Sequence, residues 1–226
     1  MKVLAPVLIS ILLSLSFSIA LLIYFNFDEI KKENQLLNKG KKIFNFKGRI
    51  KWTIIIVFIS GIIFFLIAHL LYDKNIINAL KWQLSIMIMI PIGDIDHKEQ
   101  IIPNKLLLIG LIFTLPLLII EIIVTEVVIL SVILSSLLGA IVAGGIFFIS
   151  SLIVKNGVGA GDIKMYFTLG LLVGFVGIFN VLLYSMVLSA IFGIVLIVSK
   201  KKKSKDSLPL APFTLFGVIL AILLGV

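Results

Sequence analysis

Lys155-Asn156-Gly157-Val158-Gly159-Ala160-Gly161-Asp162-Ile163-Lys164 interrupts an otherwise apolar chain. It lies between apolar runs at about 127–154 and about 164–178, each rich enough in Leu, Ile, Val and Phe to seek lipid. A carboxylate costs free energy to desolvate, so an ionisable group at the edge of membrane-embedded runs is a functional candidate by default. Gly159 and Gly161 flank Asp162 closely. Glycine lets backbone and substrate approach one another and opens backbone conformations closed to other residues.

Composition extends this reading to the whole chain. Of 226 residues, 61% are hydrophobic, and the mean hydropathy is +1.25. A soluble domain has no way to hide that much apolar surface, so the expected solvent is lipid. There is no cysteine and there are only two histidines, His69 and His97. Disulfides, a thiol nucleophile and a cysteine-ligated zinc are excluded, and no metal or other cofactor is expected. The net charge of +9 is concentrated in loops, which points to membrane topology and away from nucleic acid.

Apolar segments of spanning length are expected at about 3–25, 53–72, 76–93, 105–124, 127–154, 164–178, 180–199 and 209–225. The fold class is therefore all-α: a polytopic membrane protein with about eight transmembrane helices. The run from Val3 is long enough to span and precedes no convincing cleavage site, so it reads as a retained first helix. The sixth segment is short and glycine-rich, and Phe179-Asn180 is the expected break before the seventh. Residues 1–51 then form a first helix and a basic loop, and residues 52–226 the membrane-embedded body. Loop 26–52 carries Lys31, Lys32, Lys39, Lys41, Lys42, Lys47, Arg49 and Lys51. Its segment Asp28 to Glu33 pairs opposite charges at helical spacing and either extends the first helix or lies at the interface. Loop 200–208 carries Lys200 to Lys203 and Lys205, and loops 94–105 and 155–164 add further lysines. The opposite side receives Lys2, Lys74, Lys81, Asp73, Glu121 and Glu126. The positive-inside rule makes the four basic loops cytoplasmic and both termini external.

The second polar segment, Gly93-Asp94-Ile95-Asp96-His97-Lys98-Glu99-Gln100-Ile101-Ile102-Pro103-Asn104, begins at the same end of the third helix. Pro103 suits the first turn of the fourth. Asp94 and Asp96 have a bland reading as solvated loop residues. Asp162 has one as a helix N-cap. The chemical reading joins an aspartate from each segment. Two carboxylates sharing a site cannot both ionise cheaply, so the pair holds one proton. The ionised member takes a proton from water while the neutral one polarises a carbonyl. That is peptide hydrolysis without a metal or a covalent intermediate.

At these residues the chain resembles a known family. Asp96, in Asp-His-Lys-Glu-Gln-Ile-Ile-Pro-Asn, is similar to the first active-site segment of type IV prepilin peptidases. Gly159-Ala160-Gly161-Asp162-Ile163-Lys164 resembles their Gly-x-Gly-Asp-x-Lys segment. Leu208-Pro209-Leu210-Ala211-Pro212-Phe213-Thr214-Leu215-Phe216-Gly217 resembles the proline-rich opening of their last helix. The resemblance covers most of the chain from Trp52 onward. It implies a membrane aspartyl endopeptidase that removes basic leaders from type IV prepilins or pseudopilins at the cytoplasmic face, usually after a glycine. Carried over by position, Asp96 and Asp162 are the catalytic pair. Gly159, Gly161, Lys164, Pro103, Pro209 and Pro212 are the supporting or substrate-binding residues. The implied partners are the prepilin substrates and the lipid bilayer, with no nucleic acid. Bifunctional members also carry Cys-x-x-Cys zinc motifs and methylate the new N-terminus. Loop 26–52 is short and has no cysteine, so zinc is not expected and the methyltransferase activity loses its motif.

Other polar residues have plainer readings. Asp94 faces water. His97 is a loop or interface histidine, and His69 packs near the outer end of the second helix. Lys164 either biases the charge near the pair or meets a lipid headgroup. Asn34, Asn38, Lys39 and Arg49 belong to a solvated basic loop in preference to a remnant methyltransferase site. Gly144-Gly145 allow close helix packing. The rival function is a secondary transporter using the aspartates for proton or cation coupling. It predicts charges at the bilayer midplane and an internal repeat, and the sequence has neither.

Overall fold

A computed structural model describes residues 4–37, 46–124, 129–153, 159–200 and 208–225, with side chains described outside 29–49. The helices are α1 (Leu4–Leu37), α2 (Phe46–Leu66), α3 (Ile76–Glu99), α4 (Asn104–Val124), α5 (Ile129–Ile153), α6 (Ala160–Val198) and α7 (Ala211–Leu223). A π-helical turn, Ile67–Leu71, ends α2. No strand occurs among the described residues. Helices α1 to α6 are long and apolar enough to cross a membrane, and α7 is a shorter apolar helix. The chain is an all-α, multi-pass membrane protein.

Helix α6 is two helices joined at Gly174. There φ is 76° and ψ is −179°, a region essentially closed to residues with a Cβ. Tyr166 and Ser185 would stand about 28 Å apart along a straight helix. Yet Tyr166 bonds Thr214 of α7, and Ser185 packs against Gly217, one turn further along α7. The chain therefore folds back on itself, α6a (160–173) beside α6b (175–198). Ser135 of α5 takes the freed Phe175 N–H on its hydroxyl at 3.2 Å. With this break the described chain has eight helical segments. The expected break at Phe179-Asn180 is wrong because Asn180 stays inside the helix, its side-chain amide donating to the Val176 carbonyl at 2.9 Å.

Helix α3 is the hub. It is the least apolar of the spans and the most enclosed by protein. A polar helix survives in a membrane when neighbouring helices, not lipid, cover its polar groups. Gln83 is fully buried and donates to the Ser10 carbonyl and the Ser14 hydroxyl of α1 at 2.9 and 2.8 Å. Lys81 and Glu121, expected among the charges of the outer side, instead form a buried ion pair of 2.8 Å between α3 and α4. Neither charge is exposed to lipid, which is what permits both inside the bundle.

Several boundaries also move. Helix α1 continues through the Asp28–Glu33 charge pattern to Leu37, and α2 begins at Phe46. The side chains of Asn34, Asn38, Lys39 and Arg49, weighed above, lie outside the described residues. Helix α3 runs to Glu99, so Asp94 and Asp96 stand on its last turns and not in a loop. Gln100 stops it with φ of 52°, its N–H donating to the Asp96 carbonyl at 2.9 Å. Pro103 precedes α4, and its carbonyl accepts the Leu106 and Leu107 N–H groups at 3.1 and 3.3 Å. Of Gly144 and Gly145, Gly144 does make a close approach, its added Cβ standing 3.3 Å from the Phe167 Cβ of α6, and a tighter one falls at Gly139 against Gly170. A Cβ on Gly170 would lie 2.3 Å from the Gly139 carbonyl oxygen, whereas one on Gly145 would meet nothing within 4 Å.

Candidate active site

Residues Asp94 and Asp96 are two apart on α3, so they point to different sides. Asp94 is half-exposed and pairs with Lys98, one turn on, at 2.7 Å. His97 is exposed beside it. Asp96 turns inward and is 5% exposed. Its Oδ2 accepts the Ala211 N–H at 2.9 Å. Ala211 opens α7, where amides of the first turn have no partner within the helix. Pro212 follows and brings no N–H. The N-terminal end of α7 therefore offers a donor and a partial positive charge to the Asp96 carboxylate.

Asp162 lies in the first turn of α6a. Its Oδ2 accepts the Gly159 N–H at 3.2 Å, while the Gly159 carbonyl accepts the Asp162 N–H at 3.0 Å. Gly159 is the N-cap and Asp162 stands three residues on, so Asp162 caps the helix start from within its first turn while also lining the cavity. The cap fixes the carboxylate against one wall of a cavity of about 260 Å³ lined by Asp96, Gln100, Ile102, Gly159, Asp162 and Lys164. The two aspartates are close enough for their charges to interact.

The glycine of the Gly-Asp dipeptide has a steric reason. A Cβ on Gly161 would stand 2.8 Å from the Ile102 Cβ, so only glycine lets the start of α6a approach the 100–103 segment this closely. Lys164 also reaches the cavity, and its ammonium donates to Asn104 Oδ1 at 3.0 Å. Pro103, Pro209 and Pro212 do not line the cavity. Pro103 adjoins Asn104, Pro212 adjoins Ala211, and Pro209 adjoins Leu210. His69 lies elsewhere, stacked on Phe65 with its Nδ1 2.9 Å from the Lys74 carbonyl.

Sequence reasoning missed Ala211, Gln100 and Ile102 as site residues. For Ala211 a signal exists: a residue just before a proline at a helix start keeps a donor with no helical partner. The contacts of Gln100 and Ile102 follow from the left-handed stop of α3, which the sequence does not announce.

Residues 83–194, which include Asp96, Asp162 and Lys164, match the model of the type IV leader peptidase family. A prepilin leader peptidase/N-methyltransferase of Bacillus subtilis (strain 168) is 31% identical over 144 residues, 63% of this chain and 54% of that protein. The chain thus spans about half the length of the curated relative it matches. No solved structure matches it. By the match over its central helices, the chain belongs to the type IV leader peptidase family.

Proposed function

We propose that the protein is a membrane aspartyl endopeptidase that removes basic leaders from type IV prepilins or pseudopilins at the cytoplasmic membrane face. The observation that carries this reading is the meeting of Asp96, from the end of α3, and Asp162, from the start of α6a, in one cavity. The family match over both residues supports it. A water between the carboxylates attacks the scissile carbonyl. The ionised carboxylate accepts the water proton, and the neutral one donates its proton to the carbonyl oxygen. Collapse of the tetrahedral intermediate breaks the C–N bond, and the departing amine takes a proton from the pair. The net change is peptide plus water to acid plus amine, with no metal and no covalent enzyme intermediate. The substrate keeps its leader in the cytoplasm and its apolar helix in the bilayer, so a shared interface depth contributes to selection.

The test is coexpression of a prepilin with Asp96→Asn or Asp162→Asn. Mass spectrometry of the prepilin is expected to find the leader intact with either variant. Full leader removal by either one overturns the pair. The same spectrum reports whether the new N-terminus carries a methyl group.

A further inference from the structure

Tyr166 is a large fully buried side chain of α6a, one turn after Asp162 and on the same helix face. Its ring stacks on Phe147 of α5 at 4.2 Å and 12°. Its hydroxyl lies 2.7 Å from Thr214 Oγ1. The Thr214 hydroxyl lies 3.1 Å from the Leu210 carbonyl and donates to it. The Ser185 hydroxyl, which donates to the Val181 carbonyl, is a second neighbour of the phenol. With the Thr214 proton on Leu210, the phenol's own proton completes the run when it points to Thr214. The Leu210 carbonyl and the Ala211 N–H are the two ends of one planar peptide group. That N–H is the one Asp96 accepts, at 2.9 Å. An unbroken run of hydrogen bonds thus leads from Tyr166 through Thr214 and the Leu210–Ala211 peptide to Asp96.

We infer that Tyr166 is a positioning residue for the Asp96 carboxylate, acting through Thr214 and the Leu210–Ala211 peptide. Bonds in such a run polarise one another, and the buried setting strengthens each. The link also joins the two halves of the site. Asp162 and Tyr166 share α6a, while Ala211 and Thr214 share the first turn of α7, so the Tyr166–Thr214 bond fixes how α7 presents its amide beside Asp162. The plain alternative is a core tyrosine whose hydroxyl merely needed a partner. Under that alternative, removing the hydroxyl lowers stability and leaves turnover by the folded enzyme untouched.

The inference rests on the peptidase reading, and the experiment separates the two. The probe is a synthetic peptide with a basic leader, a glycine at the cleavage site and an apolar helical segment. It is cleaved by purified full-length protein in detergent. Tyr166→Phe and Thr214→Val are each expected to lower kcat about tenfold with KM within about twofold of the unsubstituted protein. The double variant is expected to be no slower than the slower single one, because both substitutions break one run. Thr214→Ser, which keeps the hydroxyl, is expected to restore turnover. Unchanged kcat in Tyr166→Phe, a loss carried by KM alone, multiplied losses in the double variant, or failure of the serine to rescue would each overturn the inference. An active Asp96→Asn protein would instead overturn the Asp96–Asp162 pair, and failure of the unsubstituted protein to cleave the peptide would overturn the peptidase reading itself.

Discussion

Helix α3 carries a buried charge near each end, and the two are treated in opposite ways. Near its start, Lys81 meets Glu121 in a closed ion pair of 2.8 Å. Near its end, Asp96 forms no ion pair among the described residues. It accepts from the backbone at the start of α7, from Ala211 at 2.9 Å and from Leu210, and shares a cavity with a second carboxylate. The first arrangement sets opposite charges against each other in a buried contact. The second leaves two acid groups facing one cavity, each steadied by backbone amides, with Lys164 on the same lining. Inside a membrane the difference separates a charge that holds helices together from one that is available for chemistry.

The largest stability effect is expected at the closed end. Lys81→Met strands Glu121 and is expected to cost about 3–5 kcal/mol, read as a lowered melting temperature in detergent. Adding Glu121→Leu removes the stranded charge and is expected to recover most of the loss. Recovery sharpens the comparison, since it shows the pair to be replaceable by apolar packing. The open end has no such replacement. At the hairpin of α6, Gly174→Ala forces a side chain into a backbone region that costs about 1–3 kcal/mol and drives its Cβ to 2.7 Å from Ser135 Oγ. Destabilisation without a change in cleavage site is the expected result. Gly161→Ala must displace Ile102 and is expected to lower kcat about tenfold in the peptide assay, with a smaller change in melting temperature. The smallest effect belongs to Asp94. Its exposed pair with Lys98 contributes about 0.3–0.5 kcal/mol, so Asp94→Asn is expected to leave cleavage unchanged. A dead Asp94→Asn enzyme would break the contrast between the two aspartates of α3.

Much of this was legible in the sequence, and the rest was hidden for definite reasons. The spans are announced by apolar length, and Asp162 by its place between two of them. The eight segments were countable, but the break at Gly174 was not, because it depends on Ser135 from another helix accepting an orphaned amide. Asn180 looked like a break and instead satisfied its polar group within its own helix. Asp96 looked like a loop residue because the segment 94–100 is polar. It is helical because α3 runs on to its left-handed stop at Gln100, and its side chain turns to the start of α7. Its partner amide is remote in the chain, and no local pattern reports such a distance. Lys81 and Glu121 read as surface charges for the same reason.

The most direct measurement pairs activity with stability for Asp96→Asn and Asp162→Asn in purified protein. The account predicts that each variant loses about 10²–10⁴-fold in kcat/KM on the leader peptide. It also predicts a melting temperature at least as high as that of the unsubstituted protein, because a costly buried acid has been replaced by a neutral amide. Cleavage at the unsubstituted rate by either variant, with the protein folded, would contradict it.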